Sequence, residues 1–176
     1  NALKGYPAKI IAKVNSLCDK DIITALYEAS CAGVHIELIV RGICCLRVGI
    51  PGVSENITVR SIVGNFLEHS RIFYFENNGK PEVFCGSADW MPRNLERRVE
   101  ILFPIEDNGL KNKVIHILET ELADTRKAHM LQPDGTYRKQ DKRGRVKLVS
   151  SQDEFCKEAK KEEKNESLNR MKFGYS

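Results

Sequence analysis

The chain of 176 residues is 41% hydrophobic and 30% charged, with a formal net charge of +4. That length can bury a real core and makes one domain the default, and the composition is that of an ordinary globular protein. No apolar run approaches the ~20 residues of a membrane span, and so mild a charge favours anionic partners without arguing for nucleic acid.

The chain opens at Asn1 with no charged-then-apolar leader, which predicts an excised or processed piece of a longer protein and shows no signal peptide. Residues 9–15, KIIAKVN, read as a short buried strand. Asp19 is placed to cap a helix running through Ala32, with Ile22, Ile23, Leu26 and Tyr27 on one face and Gly33 as its stop. Residues 34–40, VHIELIV, alternate and lead into Arg41-Gly42, a second strand. This β-α-β order predicts a parallel pair with the helix crossing between them. Gly42 to Glu55 reads as a loop around Gly49, Pro51 and Gly52, with the apolar stretch Ile43–Leu46 packed. Ile57 to Val59 is predicted as a strand and Ser61 to Leu67 as a short helix.

Arg71 to Phe75 and Glu82 to Cys85 form a hairpin closed by Asn77-Asn78-Gly79-Lys80-Pro81. Arg97 to Pro104 adds a strand. Asn108 to Thr125 is a helix with Leu110, Val114, Ile117, Leu118 and Leu122 at helical spacing, and Pro133 to Thr136 is a turn. From about Arg138 the chain turns polar, and FCKEAKKEEKNESLNR, mixing both signs, is a solvated helix or a frayed tail. The fold class is α/β.

Six cysteines, Cys18, Cys31, Cys44, Cys45, Cys85 and Cys156, contain no CxxC pair. Several lie in apolar runs, where cysteine acts as a small buried hydrophobe, so zinc and disulfide readings are weak and a reducing cytoplasm is the simpler inference.

Three features carry chemistry. His69 and Arg71 precede and open a strand, on one side of it because side chains alternate. If the hairpin closes at 77–81, Gly86-Ser87-Ala88-Asp89 returns to the same end. Imidazole, guanidinium, hydroxyl and backbone amides together suit a phosphoryl oxygen, although a lone histidine is more often structural or merely exposed. Arg41 follows an apolar strand, where open α/β sheets bind anions, unless it simply enters solvent. Arg93, Arg97 and Arg98 lie beside Asp89, Glu96 and Glu100, a cluster that reads mainly as surface ion pairs, with one arginine able to face the site. Tyr74, Phe75 and Trp90 read as packing residues. His35, His116 and His129 share no ligand spacing and are assigned no chemistry.

The pattern His69-x-Arg71-x4-Glu76-x9-Gly86-Ser87-x-Asp89 resembles a degenerate copy of the His-x-Lys-x4-Asp-x6-Gly-Ser-x-Asn signature of the phospholipase D superfamily. Arginine stands for lysine, glutamate for aspartate and aspartate for asparagine. IIAKVNSL, ALYEASCAGVHIELIVRGICCLR, SENITVRSIVGNFLEHSRIFYFENNG and GSADWMPRNLERRVE resemble the last domain of bacterial polyphosphate kinases, across roughly residues 10–104.

This resemblance implies a phospholipase D-like domain over residues 1–135, a mixed sheet flanked by helices, with 136–176 a charged, partly helical or frayed extension. It implies part of a bacterial enzyme that reversibly transfers the γ-phosphoryl group of ATP to polyphosphate through a phosphohistidine outside this chain. His69 would assist as acid/base or by binding phosphate, and Arg41 and Arg98 would bind phosphate. Magnesium would come with ATP, held by residues outside this chain. The implied partners are ATP or ADP, inorganic polyphosphate and the remaining domains of a homo-oligomeric enzyme, with no nucleic acid and no transmembrane segment. The implied location is cytoplasmic, with peripheral membrane association as a variant. Two other readings stay open: an autonomous phospholipase D-type phosphodiesterase completed by dimerisation, and a non-enzymatic assembly module presenting Ile43–Leu46.

Overall fold

The computed structural model describes residues 1–139 and 148–173, and the side chains of the last helix through residue 167. Strand β1 (Lys9–Val14) is followed by helix α1 (Lys20–Cys31) and strand β2 (His35–Val40). The Asp19 carboxylate accepts from the amides of Asp21 and Ile22 at 3.1 and 3.0 Å, and Gly33 leaves the helix at φ +89°. β1 and β2 pair in parallel from Lys9↔His35 to Val14↔Val40, the arrangement the β-α-β order predicts. Strand β3 (Ile57–Ile62) adds parallel to β2. The crossover to it, residues 41–56, is irregular and drives Leu46 and Val48 into the core, while Ile43 of the same apolar stretch is exposed.

Strands β4 (Arg71–Phe75) and β5 (Glu82–Gly86) form the expected hairpin, with Asn77, Asn78 and Gly79 all at positive φ in its turn. Helix α2 (Pro92–Arg97), strand β6 (Leu102–Pro104), helix α3 (Asn108–Leu122), strands β7 (Ala128–Leu131) and β8 (Tyr137–Lys139) and helix α4 (Ser151–Phe173) complete the chain. The sheet order is β6-β5-β4-β1-β2-β3-β7-β8, a parallel centre with antiparallel wings.

Three expectations are corrected. Ser61 to Leu67 is not a helix: Ser61 and Ile62 extend β3 and pair with His129 and Ala128, so sheet hydrogen bonds take the residues a helix would start from. The strand expected over Arg97–Pro104 shrinks to its last three residues: Arg97 closes α2, and only Leu102, Phe103 and Pro104 find ladder partners on β5. None of the six cysteines is fully buried; Cys31 and Cys45 are exposed and the rest half-buried. The charged segment near the C-terminus lies in α4, and residues 140–147 and 174–176 of the charged extension fall outside the described residues.

Alternation along β1 sends Ala12 and Val14 to one face, under α1 and the 41–56 segment, and Ile11 and Lys13 to the other, under α3. Because β4 runs antiparallel to β1, its first residue lies level with the carboxyl end of the parallel strands. One end of the sheet therefore collects residues 15–18, Arg41, the 63–70 segment, Gly86 to Asp89, Arg98 to Ile101 and the turn after α3.

Candidate functional site

The frame of this end is Asp89. Its Oδ1 accepts from the amides of Asn15 at 2.7 Å and Ser16 at 3.3 Å, tying the loop after β5 to the end of β1. Arg71 grips the same carboxylate with Nε at 3.2 Å to Oδ1 and Nη2 at 2.9 Å to Oδ2. Burial acts to raise the Asp89 pKa, but the hydrogen bonds and charge of Arg71 and the two amides outweigh it and hold the carboxyl below its usual range. The third guanidinium nitrogen of Arg71 donates to the carbonyl of His69 at 2.7 Å. Arg71 thus uses its fork inside the protein and fixes the backbone at His69.

Arg41 leaves β2 half-buried and donates from Nε to Asn15 Oδ1 at 2.9 Å. No described residue engages its two Nη groups, so the stem is held through Nε while two donors keep no partner among the described residues. The glycine after it is required by packing: a Cβ on Gly42 would lie 2.9 Å from the Asn15 carbonyl oxygen. His69 is exposed, and among the described residues its ring has no partner. Arg98 is also largely exposed and touches Glu100 through Nε at 3.4 Å. Glu100 itself is held by the Ser87 hydroxyl and by Asn94 Nδ2 at 2.6 Å, and these bonds lower its pKa.

The arrangement expected of the hairpin is therefore met only in part. His69, Arg41 and Arg98 share one end of the sheet, while the Arg71 guanidinium is neutralised by Asp89 and the Ser87 hydroxyl is occupied by Glu100. Arg93 and Arg97 project from α2 without an ion-pair partner among the described residues. His35 lies 4.0 Å from Glu37, His116 is 2.9 Å from Glu158, and His129 is 3.0 Å from the Lys127 carbonyl.

Behind the His69 segment lies a cluster that sequence reasoning missed. Lys13 is 2% exposed and Glu121 1% exposed; the ammonium sits 3.0 Å from Glu68 Oε2 and 3.1 Å from Glu121 Oε1. Two carboxyl groups share one ammonium. Burial raises Glu121 to about 8, with Lys13 acting against the shift and Glu68 with it. Burial also acts to raise Glu68, but hydrogen bonds with Glu121, Gln152 and Lys13 prevail and lower it. Signals for this cluster are present in the chain: a lysine inside the apolar run of β1, and a glutamate three residues after Leu118 on the apolar stripe of α3.

Next to the site, an apolar cleft of about 600 Å³ opens beside α1, where the helix leaves the face of β4 and β5 uncovered. Phe73, Phe84, Trp90, Leu95 and Leu102 line it, Arg98 and Glu100 stand at its rim, and Trp90 stacks on Phe73 with ring centres 5.2 Å apart. Apolar side chains also surround the site: Val63, Phe66 and Leu67 next to His69, and Val99, Ile101 and Leu102 next to Arg98, all at least 59% exposed.

A family model, polyphosphate kinase C-terminal domain 2, matches residues 1–152. The chain belongs to the polyphosphate kinase family. It is 62% identical over 138 residues to a polyphosphate kinase of Thermosynechococcus vestitus, a match covering 78% of this chain and 19% of that protein. Its structure superposes on the polyphosphate kinase of Porphyromonas gingivalis with a TM-score of 0.86 at 44% identity, over 92% of this chain and 25% of the other. NucT from Helicobacter pylori, 15% identical, shares the fold at a TM-score of 0.53, over 69% of this chain and 82% of that one. The mixed eight-stranded sheet with flanking helices is thus the fold shared with these structures, and the chain spans only a fifth to a quarter of the kinases it matches.

Proposed function

We propose that the chain supplies the assisting half of a polyphosphate kinase site, in which the γ-phosphoryl group of ATP passes reversibly to polyphosphate through a phosphohistidine carried by a segment outside this chain. The observation that supports this reading most is the division of labour at the sheet end. Arg71 and Asp89 neutralise one another as a frame, while Arg41 keeps two Nη donors free and the His69 ring is unpaired among the described residues. A phosphoryl group in flight spreads charge over its oxygens, and preplaced cations supply most of its stabilisation. Arg41 and Arg98 neutralise that charge. His69 donates an N–H to a phosphoryl oxygen and exchanges a proton with it.

Magnesium, which would accompany ATP, finds no matching donor set here: Asp89 is committed to Arg71 and Glu100 to Ser87 and Asn94, and no group of three candidate metal ligands occurs among the described residues. Its ligands belong to the nucleotide and to other segments. Those segments also account for the apolar rim around His69 and Arg98, which suits packing against further domains of a homo-oligomeric enzyme. No helix among the described residues is long and apolar enough to cross a membrane. The proposed setting is the bacterial cytoplasm, with peripheral membrane contact as a variant.

The test is incubation of the chain with γ-labelled ATP and magnesium, followed by assay for acid-labile, base-stable phosphohistidine. Circular dichroism and polyphosphate binding serve as checks of folding. The expected result is no label in a chain that binds polyphosphate, with affinity reduced about tenfold by Arg41→Gln or Arg98→Gln. Label that vanishes in His69→Ala would make His69 the nucleophile and favour the phosphodiesterase reading. Affinity unmoved by either arginine change would remove the site.

A further inference from the structure

The segment that carries His69 has no regular structure of its own, yet it is held at a defined place. Its anchor comes from the far end of the chain. Gln152, in the first turn of α4 and 6% exposed, donates from Nε2 to the Phe66 carbonyl at 2.9 Å and accepts at Oε1 from the Phe66 amide at 3.1 Å. One side-chain amide thus pairs with both polar groups of one residue, as a neighbouring strand would. The same Nε2 donates to Glu68 Oε1 at 2.7 Å, and Lys13 takes the other oxygen of Glu68 at 3.0 Å. His69 is the next residue, and its carbonyl is held by Arg71.

Two further observations show that the contact is built rather than incidental. A Cβ on Gly64 would lie 2.3 Å from Gln152 Oε1 and 2.8 Å from Cδ, so only glycine admits the amide there. The turn of α4 that bears Gln152 is itself tied down. Asp124 Oδ2 accepts from the amide and hydroxyl of Ser151, both at 2.8 Å, while its Oδ1 accepts from the amides of Lys127 and Ala128. Gln152 is therefore referenced to the turn between α3 and β7, and through it to the sheet.

We propose that Gln152 is a positioning residue for His69, the first turn of α4 acting as a clamp that sets where the imidazole meets the phosphoryl group. This inference rests on the reading of His69 as a phosphate-contacting residue. The clamp touches neither substrate nor the reacting atoms. It acts on placement alone, and a displacement of about 1 Å in such a group costs on the order of 100-fold in rate.

The test uses the intact enzyme and steady-state polyphosphate synthesis, with Gln152→Met, Gly64→Ala, His69→Ala and the doubles of each of the first two with His69→Ala. Gln152→Met keeps volume and burial while removing the three hydrogen bonds. Gly64→Ala keeps the hydrogen-bonding groups but displaces the amide. Both single variants should lose turnover by roughly 10- to 100-fold, with KM for polyphosphate within about twofold of wild type. Neither change should lower kcat further once His69 is alanine. Unfolding midpoints identify any variant that fails to fold, in which case the other variant decides.

An unchanged kcat in folded Gln152→Met or Gly64→Ala, alongside a large loss in His69→Ala, would overturn the clamp and leave the functional reading standing. The clamp also falls if Gln152→Met lowers kcat equally in the presence and absence of His69, because α4 would then act on the fold and not through the histidine. A kcat unaffected by His69→Ala would instead overturn the functional reading itself.

Discussion

Replacing Glu121 by glutamine tests the buried charge cluster directly. In the folded chain this carboxyl titrates near 8, against an ordinary value of 4.5. Between those values the folded state holds a proton that the unfolded state has released, so the folded state is favoured at the acid end and loses stability as pH rises. At ~1.4 kcal/mol per pH unit, the span sets a ceiling of roughly 5 kcal/mol. The groups facing Glu121 are Lys13 from β1, Glu68 from the His69 segment and, beyond Glu68, the neutral amide of Gln152. Because Glu68 and Lys13 share the proton and the charge, the expected effect is about half the ceiling, ~2–3 kcal/mol. The introduced amide carries no titrating proton, so Glu121→Gln should be close to wild type in stability near pH 5.5 and gain on it steadily to pH 8, the difference flattening above. Urea unfolding at several pH values, followed by Trp90 fluorescence, measures this; Trp90 is the single tryptophan and stacks on Phe73, half-buried against the core. A difference between the two proteins that does not change from pH 5.5 to 8.5 would show that Glu121 is ionised throughout, and the shared-proton account would fail.

Two other outcomes follow from the frame of the site. Asp89→Asn leaves Arg71 without its carboxylate and should destabilise the chain by about 3–5 kcal/mol near neutral pH. Since the Asp89 pKa is depressed in the fold, its contribution is present above the ordinary value of 3.8 and is lost as pH falls through the lower folded value, so the gap between mutant and wild type should narrow in acid; a gap constant from pH 7 down to pH 2 would refute this. Gly42→Ala presses a methyl against the Asn15 carbonyl and should cost about 1–3 kcal/mol while weakening polyphosphate binding through Arg41. Equal binding and equal unfolding midpoints for Gly42→Ala would show that the close approach has no consequence.

The elements legible in the sequence have their causes within a few residues. Asp19 and Gly33 bound α1 by capping and by left-handed backbone, and Asn77 to Gly79 supply the positive φ values of the hairpin. Ser61 to Leu67 reads falsely as a helix because Ile62, Phe66 and Leu67 have helical spacing, whereas their conformation is set by β7 and Gln152, partners 66 to 86 residues away in sequence. Helix α2 leaves no periodic signal, since six residues with Leu95 and no second apolar position cannot show a period. At the site, Arg41 and His69 stand out by type and by their place after or before a strand. That Arg71 is consumed by Asp89 depends on register between β1, β4 and the loop after β5, which local pattern does not encode. Lys13 and Glu121 are each visible as a charge at an apolar position, but their pairing is a tertiary fact.

The bonds that define the site are long in sequence: Asp89 reaches an amide 74 residues earlier, and Gln152 reaches Phe66 across 86. Such contacts form only after the loops between them have been closed, which makes them slow relative to helices and hairpins. During synthesis from the N-terminus, the sheet and α3 are available before α4 has emerged. Until residue 152 has been made, the His69 segment therefore lacks the Gln152 hold on Phe66 and Glu68 and keeps only the bonds of Lys13 to Glu68 and of Arg71 to the His69 carbonyl, and the cationic end of the sheet closes last. Completion of the chain is in this sense coupled to competence: a product stopped short of α4 would retain its strands and its arginines but would present a histidine held from one side only.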